Sequence, residues 1–596
     1  MALVELSGHT NPTQLLDVAK PLHTAVASRQ EVEHSTFESE WSIIYKGYDP
    51  KEEQAWRRRF TLGNGIITVV PRVIDYGSTP ITKIRGLFEQ KPPSQDDLQS
   101  PVPGGLNIPD FCHFEISIGE TELQIDTSTL VRKFDIKYQK LTTEFDAADG
   151  QGRRVAVAVD EFASLSKPHK YVRRITIVPQ YSGEISLSMG VNGDVPNNGH
   201  GYYKSHEAKA LEDCFGVAYD AKTKYRNHEI AIAQRADVYS DDQETVSDTT
   251  IKAGDKSIYH KITLPVKAGK TCTIINVTSV HSTADSEKWE GIDLNLAAES
   301  RRETAVAEDY SVLLSEHIAV CEKRWNAIKI QIDGDEDVMR ALRFNLGHSM
   351  AEAPEGYAYA GVGAKIGNNP FEAYGDRHFW DADIYLRHGL TPEQVKTLVI
   401  DYRHNLLPAA QKKAEKYFAK ASQTQKLNWP FKRKGAFWPW ESTVPTNNGE
   451  DGEGCPEWII NSLGIKAPIE SLEEEIHISA DIALAVTEYY WMTGNEELMR
   501  TKGAEMILEA ARFYASRAVY NQKQDRYEYH HVTGPDEYHP GVDNNAYTNY
   551  LAKWTINEAI KLIRGNMVDD TVLIKTGLTA EEVWEWEKRA EKMYIP

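Results

Sequence analysis

A change of hydrophobic period near residue 284 constrains this 596-residue chain more than any single motif. Before it, apolar side chains alternate in short runs, as in Phe114-Glu-Ile-Ser-Ile118, Glu184-Ile-Ser-Leu-Ser-Met189 and Ile251 to Leu264. Turn clusters such as Asn192-Gly-Asp and Ala253-Gly-Asp separate the runs. Period-two alternation at this spacing predicts a large antiparallel β-sandwich over residues 41–283. A polar, weakly periodic arm (1–40) precedes it, and the Pro- and Gly-rich stretch Lys91 to Pro109 reads as a long loop within it. After the change, 284–334 reads as a helical linker. From Asp335 the period is close to 3.6, and helices are predicted at 336–352, 392–419, 473–494, 497–517, 543–564 and 580–593. A chain this long exceeds one core, so the change of period also divides domains. Antiparallel helices joined by long loops rich in Trp, Gly, Asp and Asn describe an α-helical toroid over 335–596. An (α/α)6 barrel needs twelve helices, and the pattern supplies half of them. The expected fold is therefore an N-terminal antiparallel β-sandwich followed by an (α/α)6-toroid domain that is incomplete.

Charge and composition remove several function classes. With 67 basic and 88 acidic residues the formal charge is −21. That field repels phosphate backbones, so no nucleic-acid partner is expected, and an anionic substrate must meet a local positive site. No apolar run reaches the roughly 18 residues of a membrane helix. The N-terminus MALVELSGHTNPTQLLDVAK lacks a basic region followed by an apolar core, so a cytoplasmic protein is expected. Its five cysteines (Cys112, Cys214, Cys272, Cys321, Cys455) are scattered, without CxxC spacing, and read as reduced structural thiols. The sequon Asn276-Val277-Thr278 is then incidental. Phosphate-binding and dinucleotide Gly-rich loops are absent. His530, His531 and His539 lack both HxxxH spacing and acidic partners at ligand distance, so no metal is expected.

The segment His530 to Trp554 gathers turn chemistry, an acid and a helix start. Gly534-Pro535-Asp536 is a turn signal, and Glu537 follows it, beside Tyr538 and His539. Asp543-Asn544-Asn545 supplies N-cap chemistry for a helix with apolar positions at Ala546, Tyr550, Leu551 and Trp554. An acid on a rigid turn at a helix mouth suits general-acid catalysis; a solvated acid before an ordinary capped helix reads the same residues equally well. Trp380-Asp381 and Trp440-Glu441 each pair an indole with a carboxylate, as a sugar's apolar face and radiating hydroxyls require. Tryptophans near helix ends are more often packing, which is the preferred reading of Phe437 and Trp438. His477, beside Glu475 at an expected helix start, reads either as a packed or capping residue or as a substrate contact.

Taken in order, these motifs resemble glycoside hydrolase family 65, the maltose, trehalose and kojibiose phosphorylases and their hydrolase relatives, from about residue 55 to the end. The series runs Phe60-Thr-Leu-Gly-Asn-Gly65, Gly363-Ala-Lys365 with His378-Phe-Trp-Asp381, Gly435-Ala-Phe-Trp-Pro-Trp-Glu441, Glu475-Ile-His-Ile-Ser-Ala-Asp481 and the GPDE turn ending at Glu537. The LGNG segment also reads as a tight strand turn in which Gly supplies positive φ. The resemblance implies that Glu537 is the proton donor and that Trp380 and Asp381 hold glucose in the −1 subsite. It places Trp440 and Glu441 on the +1 side, with His477 and Asp536 as further substrate-binding residues. The family's FWDTE becomes Phe379-Trp-Asp-Ala-Asp383, which is expected to alter support for the sugar contact more than the contact itself. In the family, further helices and a small β-domain follow and carry much of the phosphate site, so this chain is expected to span part of that arrangement.

Inverting hydrolysis uses two carboxyl groups roughly 6.5–9.5 Å apart, one of them activating water. The sequence offers one strong acid and no matched base. Phosphorolysis needs none, because phosphate is itself a nucleophile. The expected reaction is inverting phosphorolysis of an α-linked glucose disaccharide to β-glucose 1-phosphate and a free sugar. Glu537 would be kept protonated by burial or by neighbouring Asp536. Inorganic phosphate is the co-substrate, no cofactor is expected, and a homodimer accords with many members. Two alternatives stay open: an α-glucoside hydrolase of the same family, and a non-catalytic carbohydrate-binding remnant. A lyase or glucoamylase on a similar toroid fits the architecture but not the motif series.

Overall fold

The computed structural model describes residues 35–36, 40–72, 81–90, 104–197, 201–211, 216–240, 243–244, 248–285, 295–358, 361, 374–425, 427–444, 452, 455, 457–461 and 463–596. Most of the N-terminal arm, the Gly363-Ala-Lys365 motif and Cys214 lie outside these residues.

Two antiparallel sheets face each other in the N-terminal part. The larger has eleven strands and runs, among others, through Ser42–Lys46, Gln124–Asp135, Lys140–Ala148, Arg154–Ala163, Lys170–Pro179, Cys272–Ser282 and Glu229–Ser240. The smaller has five, centred on Ser257–Val266, Gly183–Asn192 and Asp110–Ile118. Along Ser257–Val266 the buried residues Ile258, His260, Ile262, Leu264 and Val266 alternate with more open ones, the two-residue period expected of a strand with one face on a core. Phe114, Leu187 and Ile262 from the smaller sheet join Phe145, Val157, Ile175 and Ile274 from the larger in one apolar cluster. Asn276 of the sequon is buried in that sandwich, its side-chain oxygen accepting from the Arg173 guanidinium.

Part of the expected long loop is instead a strand. Gly104–Asn107 pairs with Ile81–Glu89 in a third, four-stranded sheet. Gly105 is required because another segment comes close: a Cβ there would fall on Asp376. The LGNG segment forms a hairpin bend between Leu62–Gly63 and Ile67–Val70, with Gly65 at φ 88°. Asn64 Oδ1 accepts from the Ile66 and Ile67 amides at 3.0 and 2.8 Å.

Two helices, Leu296–Ala305 and Tyr310–Ala327, cross from the sheets to the helical part. The second docks through Trp325 Nε1, which donates to the Lys137 carbonyl at 3.0 Å. The helix Glu336–Glu352 ends at the four-stranded sheet, where Glu352 pairs with Arg85 and accepts from Thr68 Oγ1 at 3.1 Å. The long pattern at 392–419 is interrupted: Pro392–Val395 passes into a π-helical stretch, Lys396–Asp401, before Leu407–Gln425. Residues 473–494 also divide, into a single turn, Ser471–Glu474, and the helix Ile478–Thr493. Ala504–Arg517, Ala546–Arg564, Asp570–Thr576 and Ala580–Glu591 follow. Ala546–Arg564 buries Leu551, Ala552, Ile556 and Ala559, while Tyr550, expected on the apolar face, is exposed. No described helix is long and apolar enough to cross a membrane.

Candidate active site

The segment carrying Glu537 is a loop with a fixed base. Val532 and Val542 exchange backbone hydrogen bonds of 2.9 Å in both directions. Asn544, at φ 64°, accepts on Oδ1 from the Tyr529 amide at 3.2 Å and donates through its own amide to the Tyr529 carbonyl at 2.7 Å. Asn545 caps the helix Ala546–Arg564, accepting from the Thr548 amide at 3.0 Å. Gly534 lies against that cap, and a Cβ there would collide with the Asn545 amide group. Glu537 stands at the exposed middle of this loop. Asp536 turns back into it: its carboxylate accepts from the Tyr538 amide at 3.1 Å and pairs with His539 Nδ1 at 2.8 Å. Those bonds hold the Asp536 carboxyl below its usual range.

Facing the loop is the turn between Ser471–Glu474 and Ile478–Thr493. Tyr514 Oη pins it, donating to the Ile476 carbonyl at 2.6 Å and accepting from the Ala480 amide at 2.9 Å. Glu475, His477 and Asp481 are all buried here. His477 Nδ1 meets Asp481 Oδ2 at 2.7 Å, and its Nε2 lies 3.7 Å from Glu475 Oε2. Burial opposes a charge on the imidazole, but the carboxylates of Asp481 and Glu475 outweigh it and lift His477 to about 9. Tyr547 Oη donates to the other Asp481 oxygen at 2.7 Å. The ring edges of Trp380 and Tyr547 approach His477, with centroids 5.1 and 5.6 Å away.

Trp380 opens the short helix Trp380–Ile384, and a backbone bridge brings it beside the second Trp-acid pair. His378 and Ser442 exchange hydrogen bonds of 2.8 Å each way, so 379–381 and 440–441 run side by side. Trp440 stands edge-on to Phe379 at 5.6 Å. Glu441 is buried in an ion pair with Arg377 (2.5 Å), whereas Asp381 is exposed. Partial burial of its carboxyl, with Asp383 and Asp481 nearby, raises Asp381 above the ordinary range. Asp383, at the position where the family pattern has Glu, pairs with Arg403, which donates to Ser442 Oγ at 2.8 Å. Its shorter side chain thus sits behind the site, supporting the bridge.

Glu537 gains its acidity control from this wall. Its carboxyl is raised by burial first, then by the charges of Glu475 and Asp381, with His477 opposing. Asp536, the expected neighbour, is turned to His539 instead. The site thus gathers Glu537, Asp381, Trp380, Glu475 and His477. Three buried polar atoms in it have no hydrogen-bond partner among the described residues: Glu475 Oε1, His477 Nε2 and Trp440 Nε1. Buried orphans of this kind cost free energy unless a ligand's hydroxyls complete them. Phe437 and Trp438 are wholly buried packing residues; Gly435, at φ 86°, lets their segment run against the backbone of Glu509 and Phe513.

Glu475, Asp481 and Tyr547 escaped the sequence reading as site residues. The spacing Glu475-x-His477-x-x-x-Asp481 could have suggested a histidine between two acids; the Tyr547–Asp481 bond, 66 residues apart, has no local signal.

Away from this site, His169, His281 and Asp285 bring potential metal ligands within 4.8 Å of one another. Their donors are already engaged: His169 Nδ1 with the Val280 carbonyl, and Asp285 with the Ser282 amide and Tyr357 Oη. His281 is lifted to about 9: burial opposes its charge, but hydrogen bonds to Asp285 and Glu303 prevail.

Residues 43–324 match the N-terminal domain of glycosyl hydrolase family 65, and residues 343–596 match that family's central catalytic domain. A kojibiose phosphorylase of Caldanaerobacter subterraneus subsp. tengcongensis is 31% identical over 591 residues, covering 95% of this chain and 72% of that one. A nigerose phosphorylase of Lachnoclostridium phytofermentans is 26% identical, covering 93% and 73%. A 1,2-alpha-glucosylglycerol phosphorylase of Bacillus selenitireducens is 25% identical, covering 95% and 70%. Among solved structures, a human-microbiome protein described as a candidate kojibiose phosphorylase superposes with a TM-score of 0.78 at 18% identity, over 94% of this chain and 70% of that one.

Proposed function

This chain belongs to glycosyl hydrolase family 65 and is an enzyme of the glycoside phosphorylase or hydrolase kind, and from that premise we propose that it cleaves an α-linked glucose disaccharide by inverting phosphorolysis. Glu537 donates its proton to the glycosidic oxygen as the C–O bond breaks. Inorganic phosphate attacks the anomeric carbon from the opposite face, giving β-glucose 1-phosphate and a free sugar. Trp380 is the platform of the −1 subsite and Asp381 its hydroxyl acceptor. Trp440 extends the surface toward +1, and we read the helices as an arc of an (α/α)6 toroid. The observation that carries this reading is Glu537 itself: one carboxyl at the apex of a fixed loop, raised above the usual carboxylate range by partial burial and by the charges of Glu475 and Asp381. Phosphate, rather than water, is favoured because the relatives named above are phosphorylases.

Hydrolysis is the second reading, and the same acids favour it, since Asp381 or Glu475 beside Glu537 could activate water. One experiment separates the two. The purified chain is incubated with kojibiose, nigerose, maltose, trehalose and glucosylglycerol, with and without phosphate, following glucose and β-glucose 1-phosphate. Phosphate-dependent β-glucose 1-phosphate, lost in Glu537→Gln, supports phosphorolysis. Glucose released equally without phosphate moves the enzyme to the hydrolases. A folded chain that binds these sugars and turns none over leaves a carbohydrate-binding protein.

A further inference from the structure

Glu474, immediately before Glu475, faces the acid loop from outside the sugar-facing set. Its Oε2 accepts from Thr533 Oγ1 at 2.9 Å and from the Gly541 amide at 2.7 Å. Its backbone carbonyl accepts from the Thr533 amide at 3.0 Å. Thr533 and Gly541 are the two ends of the segment whose middle residue is Glu537. Inside the segment, the bonds go to Asp536 and order only the turn itself. The Val532–Val542 pair and the Asn544–Tyr529 bonds close the base, and the Glu474 bonds hold the two ends above it.

We propose that Glu474 is the positioning residue of the acid loop. One carboxylate oxygen ties both ends of the segment to the turn that supplies Glu475 and His477. Proton donor and facing charges then move as one body. The inference rests on the reading of Glu537 as the proton donor. It needs the acceptor, not the charge: both donors are neutral, and both reach the same oxygen. A glutamine carbonyl at 474 can take both bonds, and alanine can take neither.

The test is kinetic and structural together. Glu474→Ala should lower kcat about 10²-fold, the cost of a reacting group displaced by about 1 Å, with KM nearly unchanged. The alkaline limb of its pH profile should stay in place, because Glu474 is not among the groups acting on the Glu537 carboxyl. Hydrogen exchange at the 533–541 amides, Gly541 above all, should accelerate. Glu474→Gln should restore kcat to within a few-fold and restore the protection. Thr533→Val, which removes one bond only, should fall between and guards against misfolding of the alanine variant. The proposal is overturned if Glu474→Ala keeps full kcat and unchanged exchange, or if Glu474→Gln is as damaged as Glu474→Ala. Failure of the acid reading looks different: Glu537→Gln stays active, while the exchange of 533–541 still reports on the clamp.

Discussion

Trp380-Asp381 and Trp440-Glu441 carry the same pairing of indole and carboxylate, lie side by side across one backbone bridge, and are used in opposite ways. Glu441 is buried against Arg377 and is spent holding the scaffold. Asp381 is open, and the charges acting on it are mostly acids: Asp383 and Asp481 raise its carboxyl, and only His477 opposes. The difference teaches that a carboxylate's role is decided by the counter-ion within reach, not by its neighbour in sequence. A paired acid stabilises the frame, and one crowded by like charges is left to a ligand.

The sharpest contrast comes from Glu537→Gln set against Glu441→Gln. Losing the proposed general acid should lower kcat by about 10²- to 10⁴-fold with the unfolding midpoint nearly unmoved, since Glu537 stands at the apex of a surface loop. Glu441→Gln should do the reverse, costing about 3–5 kcal/mol in denaturant unfolding because a buried ion pair with Arg377 is broken. A Glu441→Gln protein of full stability and no activity would break the comparison. Asp381→Asn should reduce kcat/KM about 10- to 10²-fold, the worth of a charged hydrogen bond to a hydroxyl. Its melting temperature should hold or rise, as one of several crowded acids is removed.

Two pH experiments sharpen the electrostatics. The proposed proton donor must be protonated, and the Glu537 carboxyl is raised, so kcat should fall as pH climbs through that raised value. Glu475→Gln removes the largest charge contribution, and the falling limb should move to lower pH. An unmoved limb would discard the coupling. The smallest effect is on stability. His477 is raised from 6.5 to about 9 on folding, so its contribution is complete below pH 6.5 and lost as pH rises through 9. Between pH 6.5 and 9.5 the wild type should lose roughly 1–3 kcal/mol more than His477→Gln in urea titrations. His281, raised likewise, is common to both proteins and cancels.

Much of the fold was legible because periodicity reports one buried face at a time. Ser257–Val266 announces its alternation, and Glu336–Glu352 its turn-by-turn stripe, without reference to the rest of the chain. Gly104–Asn107 did not, since a glycine pair carries no pattern and its strand exists because Ile81–Glu89 lies alongside. The break at 474–478 was hidden because Glu475 and His477 are buried for reasons a helix pattern does not encode: one is held by the other, and the turn by Tyr514. In the candidate site, side-chain chemistry and the family resemblance single out Glu537, Trp380 and Asp381, and the structure brings them near one another. Which of two Trp-acid pairs keeps a free carboxylate was not legible, because Arg377 lies 64 residues from Glu441 in sequence. Asp536 shows the same limit: its identity suggests a ligand, and its rotamer gives it to His539.

The bridge between His378 and Ser442 has a consequence for how such an enzyme can change. Its bonds are made by backbone atoms, which every substitution except proline preserves, so the spacing between the two tryptophans is inherited independently of what they recognise. On the proposed subsites, mutations at the acceptor end can therefore explore new linkages while the glucose end keeps its distance. Drift in substrate range is then possible without re-solving the problem of where the bond to be broken must lie.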